Sequence, residues 1–290
     1  MVRKKVNNLG IVSIVGPGLI GGSIGLGLKK NGLAKSVIGV GHRQVSLKKA
    51  LKMGAIDRAT LDVRKGVRDA DIVILCTSVR LIPEMAAKAI PAMKPGAILT
   101  DVGSTKRRVV EFVKAIKRKD IAFIGGHPIA GSEQRGIGAA RHDLFKGCIC
   151  ILTPTNWNTR ALQTIKSLWR GLGAKVHLLS PDEHDQTLAS TSHLPLLLAA
   201  SLVNTVGAKK FPYSGPGFRD MTRIASSDPG LWRDILLQNR REVLEALALF
   251  QKELRSLKST IYERKSEKLS SRLMRAKRLR DAIPNNPNNS

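Results

Sequence analysis

The chain has 290 residues, 42% of them apolar, enough for one large or two smaller domains with a packed core. No window approaches the ~20 uninterrupted apolar residues of a membrane span, and the start MVRKKVNNLG lacks the apolar core and small-residue cleavage site of a signal peptide, so a cytoplasmic protein is expected. Forty-nine Lys and Arg against 22 Asp and Glu give a net charge of +27, which draws in any polyanion. The excess is spread along the chain, however, aromatic residues make up only 4%, and no zinc-finger or RNA-binding signature occurs, so nucleic acid is expected to bind by non-specific charge attraction only.

The first element is the β-branched run at residues 10–15, which ends in Gly16-Pro17-Gly18-Leu19-Ile20-Gly21. This is G-x-G-x-x-G between a strand and a helical pattern, the context in which the motif signals a dinucleotide. Gly16 permits the tight turn, Gly18 lets the backbone approach a pyrophosphate, and Gly21 lets the helix pack on the strand. The amides of Leu19 and Ile20 open the helix N-terminus that receives the anion. Residues 36–40, 71–76, 97–101 and 121–125 read as further buried strands with amphipathic stretches between them, which predicts an α/β domain with a Rossmann-type, doubly wound, mostly parallel sheet.

The strand at 36–40 is followed by His42 and Arg43, where an NAD-preferring fold commonly has Asp or Glu, and no acidic residue occurs from Met1 to Ile56. An Arg at this place suits a ribose 2′-phosphate, so NADP is expected as the preferred cofactor with NAD as the alternative; the other reading of Arg43 is a solvated side chain. Thr77 and Ser78, after the strand at 71–76, lie at the carboxyl edge of the sheet and are expected near the nicotinamide. Ligands of such sheets bind outside the carboxyl ends of the strands, which singles out Ser104 in TDVGSTK and His127 in GGHPIAG. Pro128 biases His127 to an extended backbone, and the preceding glycines keep bulk away from its ring. A histidine capping a turn and a serine capping the next helix are the competing readings. The three cysteines, Cys76, Cys148 and Cys150, cannot form a paired framework, and Cys148-x-Cys150 reads as alternation along a strand, so no metal site is expected.

In the second half, Ser180-Pro181-Asp182-Glu183 forms a capping box that starts a long helix, with Pro195 expected to kink it beside Ser192-His193. His184 and His193 can both be satisfied core histidines, and for His184 this is the preferred reading. Residues 209–217, KKFPYSGPG, read as a loop, and FRDMTRIASSDPGLWRDI follows with Arg219, Arg223 and Arg233. Asp228-Pro229 starts a further helix whose apolar residues Ile235, Leu236, Val243, Leu244, Leu247 and Leu254 fall near helical spacing. Trp232 fits a pocket wall or ordinary core. Residues 252–280 carry eleven basic and three acidic residues, helix-prone to 280, and PNNPNNS is a disordered tail by composition. The expected division is a dinucleotide-binding domain at 1–179, a helical domain at 180–280 and a tail at 281–290.

GPGLIGGSIGLGL, TDVGSTK, GGHPIAGSEQRG, SHLPLLLAASL and FRDMTRIASSDPGLWRDI resemble, in order and spacing, the prephenate and arogenate dehydrogenases of tyrosine biosynthesis, over about residues 10 to 255. The resemblance implies oxidation of a ring alcohol by hydride transfer to NADP or NAD while the ring loses carbon dioxide and becomes aromatic. By it, His127 draws off the hydroxyl proton, Ser104 holds that imidazole in the right tautomer, His193 touches the substrate, and Arg223 binds the ring carboxylate. Glu133 matches a position near the pocket entrance, with a surface carboxylate as its other reading. The family also implies a homodimer through the C-terminal helices. Two other functions compete: a dehydrogenase of another small carboxylic acid of the β-hydroxy-acid type, which would be expected to have a catalytic lysine on a C-terminal helix, and a polyanion-binding protein on a Rossmann scaffold. No segment for a fused mutase or regulatory domain is evident, and feedback by tyrosine stays open.

Overall fold

The computed structural model describes residues 8–130, 134–156 and 159–283. They divide into two compact units, residues 1–188 with 226–239, and residues 189–225 with 240–290. The helix that begins at Pro181 and a later segment, residues 226–239, both group with the sheet.

The first unit is built on eight strands: β1 (Ile11–Val15), β2 (Ser36–Val40), β3 (Arg58–Thr60), β4 (Ile72–Leu75), β5 (Ile98–Asp101), β6 (Ala122–Ile129), β7 (Ile149–Pro154) and β8 (Lys175–Leu178). They lie in the order β3-β2-β1-β4-β5-β6-β7-β8. Pairing is parallel except between β6 and β7. The helices are α1 (Leu19–Lys30), α2 (Gln44–Lys52), α3 (Val63–Val67), α4 (Ile82–Ala89), α5 (Arg107–Ala115), α6 (Arg160–Gly171) and α7 (Pro181–Leu188). In the central strand β4, Ile72 and Ile74 join the core that holds Ile24, Leu162 and Trp169. Val73 and Leu75 join the core that holds Ile82, Val109 and Ile235. The period of two along a strand thus feeds both faces, which is why β4 reads as an unbroken apolar run. The expected strands at 10–15, 36–40, 71–76 and 97–101 are present within a residue or so; the short β3 was not expected.

The expected strand at 121–125 is longer than its apolar run. It continues through His127 and Pro128 to Ile129, pairing antiparallel with β7, with His127 opposite Ile151. Proline is tolerated in this strand because β5 has already ended: the β5–β6 ladder stops at Thr100 opposite Ile124. His127 therefore stands on the part of β6 that outruns the parallel sheet. Gly125 and Gly126 serve packing beneath it. A Cβ on Gly126 would lie 2.7 Å from the Asp101 carbonyl oxygen, and one on Gly125 would lie 2.3 Å from Thr153 Oγ1.

The second unit begins with a π-helical turn, Ala189–His193. It is followed by α8 (Leu194–Val206) and α9 (Pro216–Thr222). The remaining helices are α10 (Pro229–Gln238), α11 (Arg240–Tyr262) and α12 (Ser266–Asp281), of which α10 lies in the first unit. Pro195 falls at the start of α8, directly after the π-turn through which the helix runs on from α7, and that turn is the irregularity expected from it. The loop expected at 209–217 holds a 3-10 segment, Ala208–Tyr213, and the start of α9. The single apolar stripe expected from Ile235 to Leu254 is two helices. Asn239 interrupts it, Ile235 packs in the core of the first unit, and Val243 and Ala246 are buried on α11. Leu244, Leu249, Leu254 and Ile261 of α11 are exposed in the single chain, and α12 has no buried residue. The expected tail lies, from residue 284 on, outside the described residues.

Candidate active site

The glycine turn between β1 and α1 has the conformations its residues were expected to serve. Gly16 has φ +96°, and a Cβ there would meet the Cys76 carbonyl oxygen at 2.9 Å. Around a Cβ on Gly18 nothing lies within 4 Å, so the space over the turn is open to a large anion. Gly21 presses on β1, where a Cβ would be 2.4 Å from Gly16 O and 2.8 Å from Ile14 Cγ2. Leu19 and Ile20 open α1 behind Gly18, and first-turn amides have no acceptor within their own helix. Across the turn, the Thr77 hydroxyl is buried without a hydrogen-bond partner among the described residues, and Ser78 is half-buried beside it. An open cradle, outward amides and an orphaned hydroxyl fit a dinucleotide. His42 and Arg43 are both exposed at the end of β2. The first carboxylate of the chain, Asp57, is already committed to the amide of Val37 at 2.7 Å and to Lys29.

Beyond β5 the chain builds a buried polar network around His127. Lys106, fully buried, forms an ion pair with the equally buried Asp101 and donates to the carbonyl of Gly126 at 2.8 Å. Asp101 accepts the amides of Gly103 at 2.9 Å and Gly126 at 3.1 Å. The backbone just ahead of His127 is thus tied at both N–H and C=O to charges from the β5–α5 connection. A buried lysine needs such full satisfaction to remain charged.

The ring of His127 is half-buried, and its Nδ1 lies 2.9 Å from Nε2 of His184 on α7. His184 is fully buried, and its Nδ1 lies 2.8 Å from Oδ1 of Asp185. Asp185 in turn accepts the amides of Lys106 at 2.7 Å and Arg107 at 3.0 Å, so its carboxylate caps α5 from another helix. Asn239 donates to the Asp185 carbonyl at 2.7 Å. Burial pushes the Asp185 carboxyl up, but the hydrogen bond from His184 and the two amides outweigh it and hold the group ionised, below the usual carboxylate range. Burial lowers His184, and the neighbouring Asp185 offsets this only in part, so the imidazole is neutral. Burial raises all three thiols, Cys148 to about 11, so none offers a thiolate near neutral pH.

Ser104 sits half-buried in the connection before α5. It makes no hydrogen bond to the His127 ring among the described residues, where Nδ1 of His127 meets His184. Nor is Ser104 the cap of α5, which starts at Arg107 and is capped by Asp185. His184, read from sequence as a satisfied core histidine, is fully buried with both ring nitrogens partnered, and one of those partners is His127; the sequence signal for this was the adjacent Asp185 on one polar turn of an otherwise ordinary capped helix. Trp232 is half-buried and packs against the core that holds Ile235. His193, 1% exposed, lies in the π-turn, and Arg223, exposed, starts a 3-10 turn after α9; both belong to the second unit. Glu133 lies outside the described residues. No group of three or more His, Cys, Asp or Glu side chains that could hold a metal ion occurs among the described residues.

Comparison with known proteins matches residues 24–178 to the family "Prephenate dehydrogenase, nucleotide-binding domain" and residues 180–275 to "Prephenate dehydrogenase, dimerization domain". The prephenate dehydrogenase of Bacillus subtilis is 36% identical over 284 residues, 94% of this chain and 76% of that one. Among solved structures, prephenate dehydrogenase from A. aeolicus, crystallised with hydroxyphenyl propionate and NAD+, has 36% identity and a TM-score of 0.88, covering 94% of this chain and 98% of that one. Arogenate dehydrogenase from Synechocystis has 32% identity and a TM-score of 0.85, covering 94% and 100%.

Proposed function

The chain belongs to the prephenate dehydrogenase family, and we propose on that footing that it oxidises the ring alcohol of prephenate or arogenate in tyrosine biosynthesis, with hydride transfer to NADP+ or NAD+ and loss of the ring carboxylate as carbon dioxide. The observation that carries the reading is His127, half-buried on the stretch of β6 that outruns the parallel sheet and hydrogen-bonded through Nδ1 to His184. The nicotinamide cofactor, when bound, supplies the hydride acceptor. Gly16, Gly18, Gly21 and the amides of Leu19 and Ile20 would hold its pyrophosphate, with Thr77 and Ser78 towards the nicotinamide. His127 takes the proton of the ring hydroxyl as the C–H bond breaks. The electrons of the carbon–carboxylate bond then enter the ring, which becomes aromatic as carbon dioxide departs. A neutral imidazole suits this role near physiological pH.

NADP+ is proposed as the preferred acceptor and NAD+ as the alternative. Supporting this, exposed Arg43 and His42 end β2, where a guanidinium can pair with a 2′-phosphate, and no free carboxylate precedes them. Arg223 and His193 are proposed to contact the substrate, Arg223 by two parallel hydrogen bonds to the ring carboxylate. A homodimer is proposed through the helices of the second unit, whose α11 leaves Leu244, Leu249, Leu254 and Ile261 exposed in one chain. No helix among the described residues is long and apolar enough to cross a membrane.

Steady-state kinetics with both substrates and both cofactors, on the wild type and on His127→Asn, test the reading. Loss of a general base lowers kcat by about 10²–10⁴. We expect that loss in His127→Asn with cofactor affinity unchanged, and an undiminished kcat would remove the assignment.

A further inference from the structure

We propose that His184 and Asp185 are positioning residues that fix the tautomer of His127 and raise its basicity. The inference rests on the reading of His127 as the base. It follows from hydrogen-bond bookkeeping along one line of atoms. The Asp185 carboxylate can only accept, and it lies 2.8 Å from His184 Nδ1, so that nitrogen carries the proton. A neutral imidazole has one N–H, so His184 Nε2 holds a lone pair. That lone pair faces His127 Nδ1 at 2.9 Å, so Nδ1 of His127 must be the donor. His127 Nε2 is then the basic nitrogen. The assignment is imposed from Asp185 outward and does not depend on the substrate.

The same line acts when His127 gains its proton. The imidazolium donates from Nδ1 to His184, which is backed by the fixed negative charge of Asp185. No proton needs to leave the chain of atoms, and the new positive charge is met by dipoles and a carboxylate already in place. Asp185 cannot swing away, because the amides of Lys106 and Arg107 hold both its oxygens and Asn239 holds its backbone carbonyl. The arrangement also explains a pair of adjacent polar side chains buried in one turn of α7, where His184 is 0% and Asp185 2% exposed. The charged and titratable groups around His184 are Asp185 on its own helix, Lys106 and Asp101 from the β5–α5 connection, and His127 on β6, against whose backbone lies Cys150 of β7.

Three variants separate positioning from mere packing. His184→Leu removes the acceptor, so kcat should fall about 10–100-fold with KM within twofold, and the acid limb of the kcat profile should move to lower pH. His184→Gln can offer an amide oxygen to His127 and an amide N–H to Asp185, and should keep kcat within about threefold. Asp185→Asn presents an amide N–H that lets His184 adopt the opposite tautomer. An isosteric swap of this kind behind a catalytic histidine in hydrolases costs about 10⁴ in kcat, and a loss of at least 100-fold is expected here. The ring nitrogens of His127, assigned by 15N NMR in the protein without substrate, should show Nδ1–H in the wild type and in His184→Gln, and a mixture in His184→Leu. That spectrum is independent of turnover, so it stands or falls apart from the reading of His127 as the base. A wild-type spectrum with the proton on Nε2 overturns the proposal, as does a His184→Leu enzyme with unchanged kcat and acid limb.

Discussion

Lys106→Met removes the cation from the buried pair with Asp101 while keeping most of the side-chain volume. In the wild type the Lys106 amine serves two acceptors, the Asp101 carboxylate and the Gly126 carbonyl. After the change Asp101 keeps only the amides of Gly103 and Gly126 in a site with no access to water. Breaking a buried pair by removing one partner costs about 3–5 kcal/mol. That is a large share of the ~5–15 kcal/mol that holds an ordinary domain together. Urea unfolding followed by tryptophan fluorescence reads it directly, because Trp169 is fully buried in the core on one face of the sheet and Trp232 packs against the core on the other. A single variant within about 1 kcal/mol of wild type would refute the account of this pair as the tie beneath His127.

The first unit should lose stability as pH falls from about 6.5, because the unfolded chain protonates His184 there while the fold holds it neutral; the loss should steepen below about 4, where Asp185 is protonated in the unfolded chain but ionised in the fold. Urea midpoints at pH 7.5, 5.5 and 4 check this, and His184→Gln should flatten the upper part. Arg43→Asp should shift the NADP+ to NAD+ ratio of kcat/KM towards NAD+ by about tenfold or more, a ratio of specificities read from initial rates. For Arg223→Ala the expectation is a KM raised by about 10–100-fold, the worth of a charge-assisted pair, with saturation unchanged if the carboxylate sits elsewhere. Binding to mixed-sequence DNA should fall steeply between 50 and 200 mM salt and ignore sequence, as surface charge alone requires; salt-independent, sequence-selective binding would point to a dedicated site.

The sheet was legible because its central strands are buried on both faces, and such strands advertise themselves as apolar runs between breakers. Residues 36–40 form β2 as read, and the runs at 10–15, 71–76 and 97–101 differ from β1, β4 and β5 by no more than a residue at either end. The reading failed where pairing changes hands. Nothing in Gly125-Gly126-His127-Pro128 alternates like a strand, yet the segment is held extended by β7, a partner that lies more than twenty residues further on. β3 was missed for a related reason: Arg58, Ala59 and Thr60 are mostly exposed, so the edge strand has no apolar signature. The stripe from Ile235 to Leu254 misled in the opposite direction. Its spacing is helical throughout, but it breaks at Asn239, whose side chain donates to the carbonyl of Asp185, fifty-four positions earlier, a partner that no local pattern encodes.

The site was half legible for the same physical reason. Gly16, Gly18 and Gly21 announce themselves because each meets a local steric demand between adjacent elements. The partners of His127 do not, because their roles are set by proximity across the fold: fifty-seven positions separate it from His184, and seventy-nine separate Lys106 from Asp185. A motif rule favours the serine close in sequence, Ser104, and passes over a histidine on a helix that looks explained by its own capping box. The distinguishing clue was thermodynamic. An ionisable pair such as His184-Asp185 falls on the inward side of α7, and leaving it there unpaired would be costly in a small domain. Two buried ionisable neighbours therefore call for a third party, and among the described residues His184 meets it in His127, 2.9 Å away on β6.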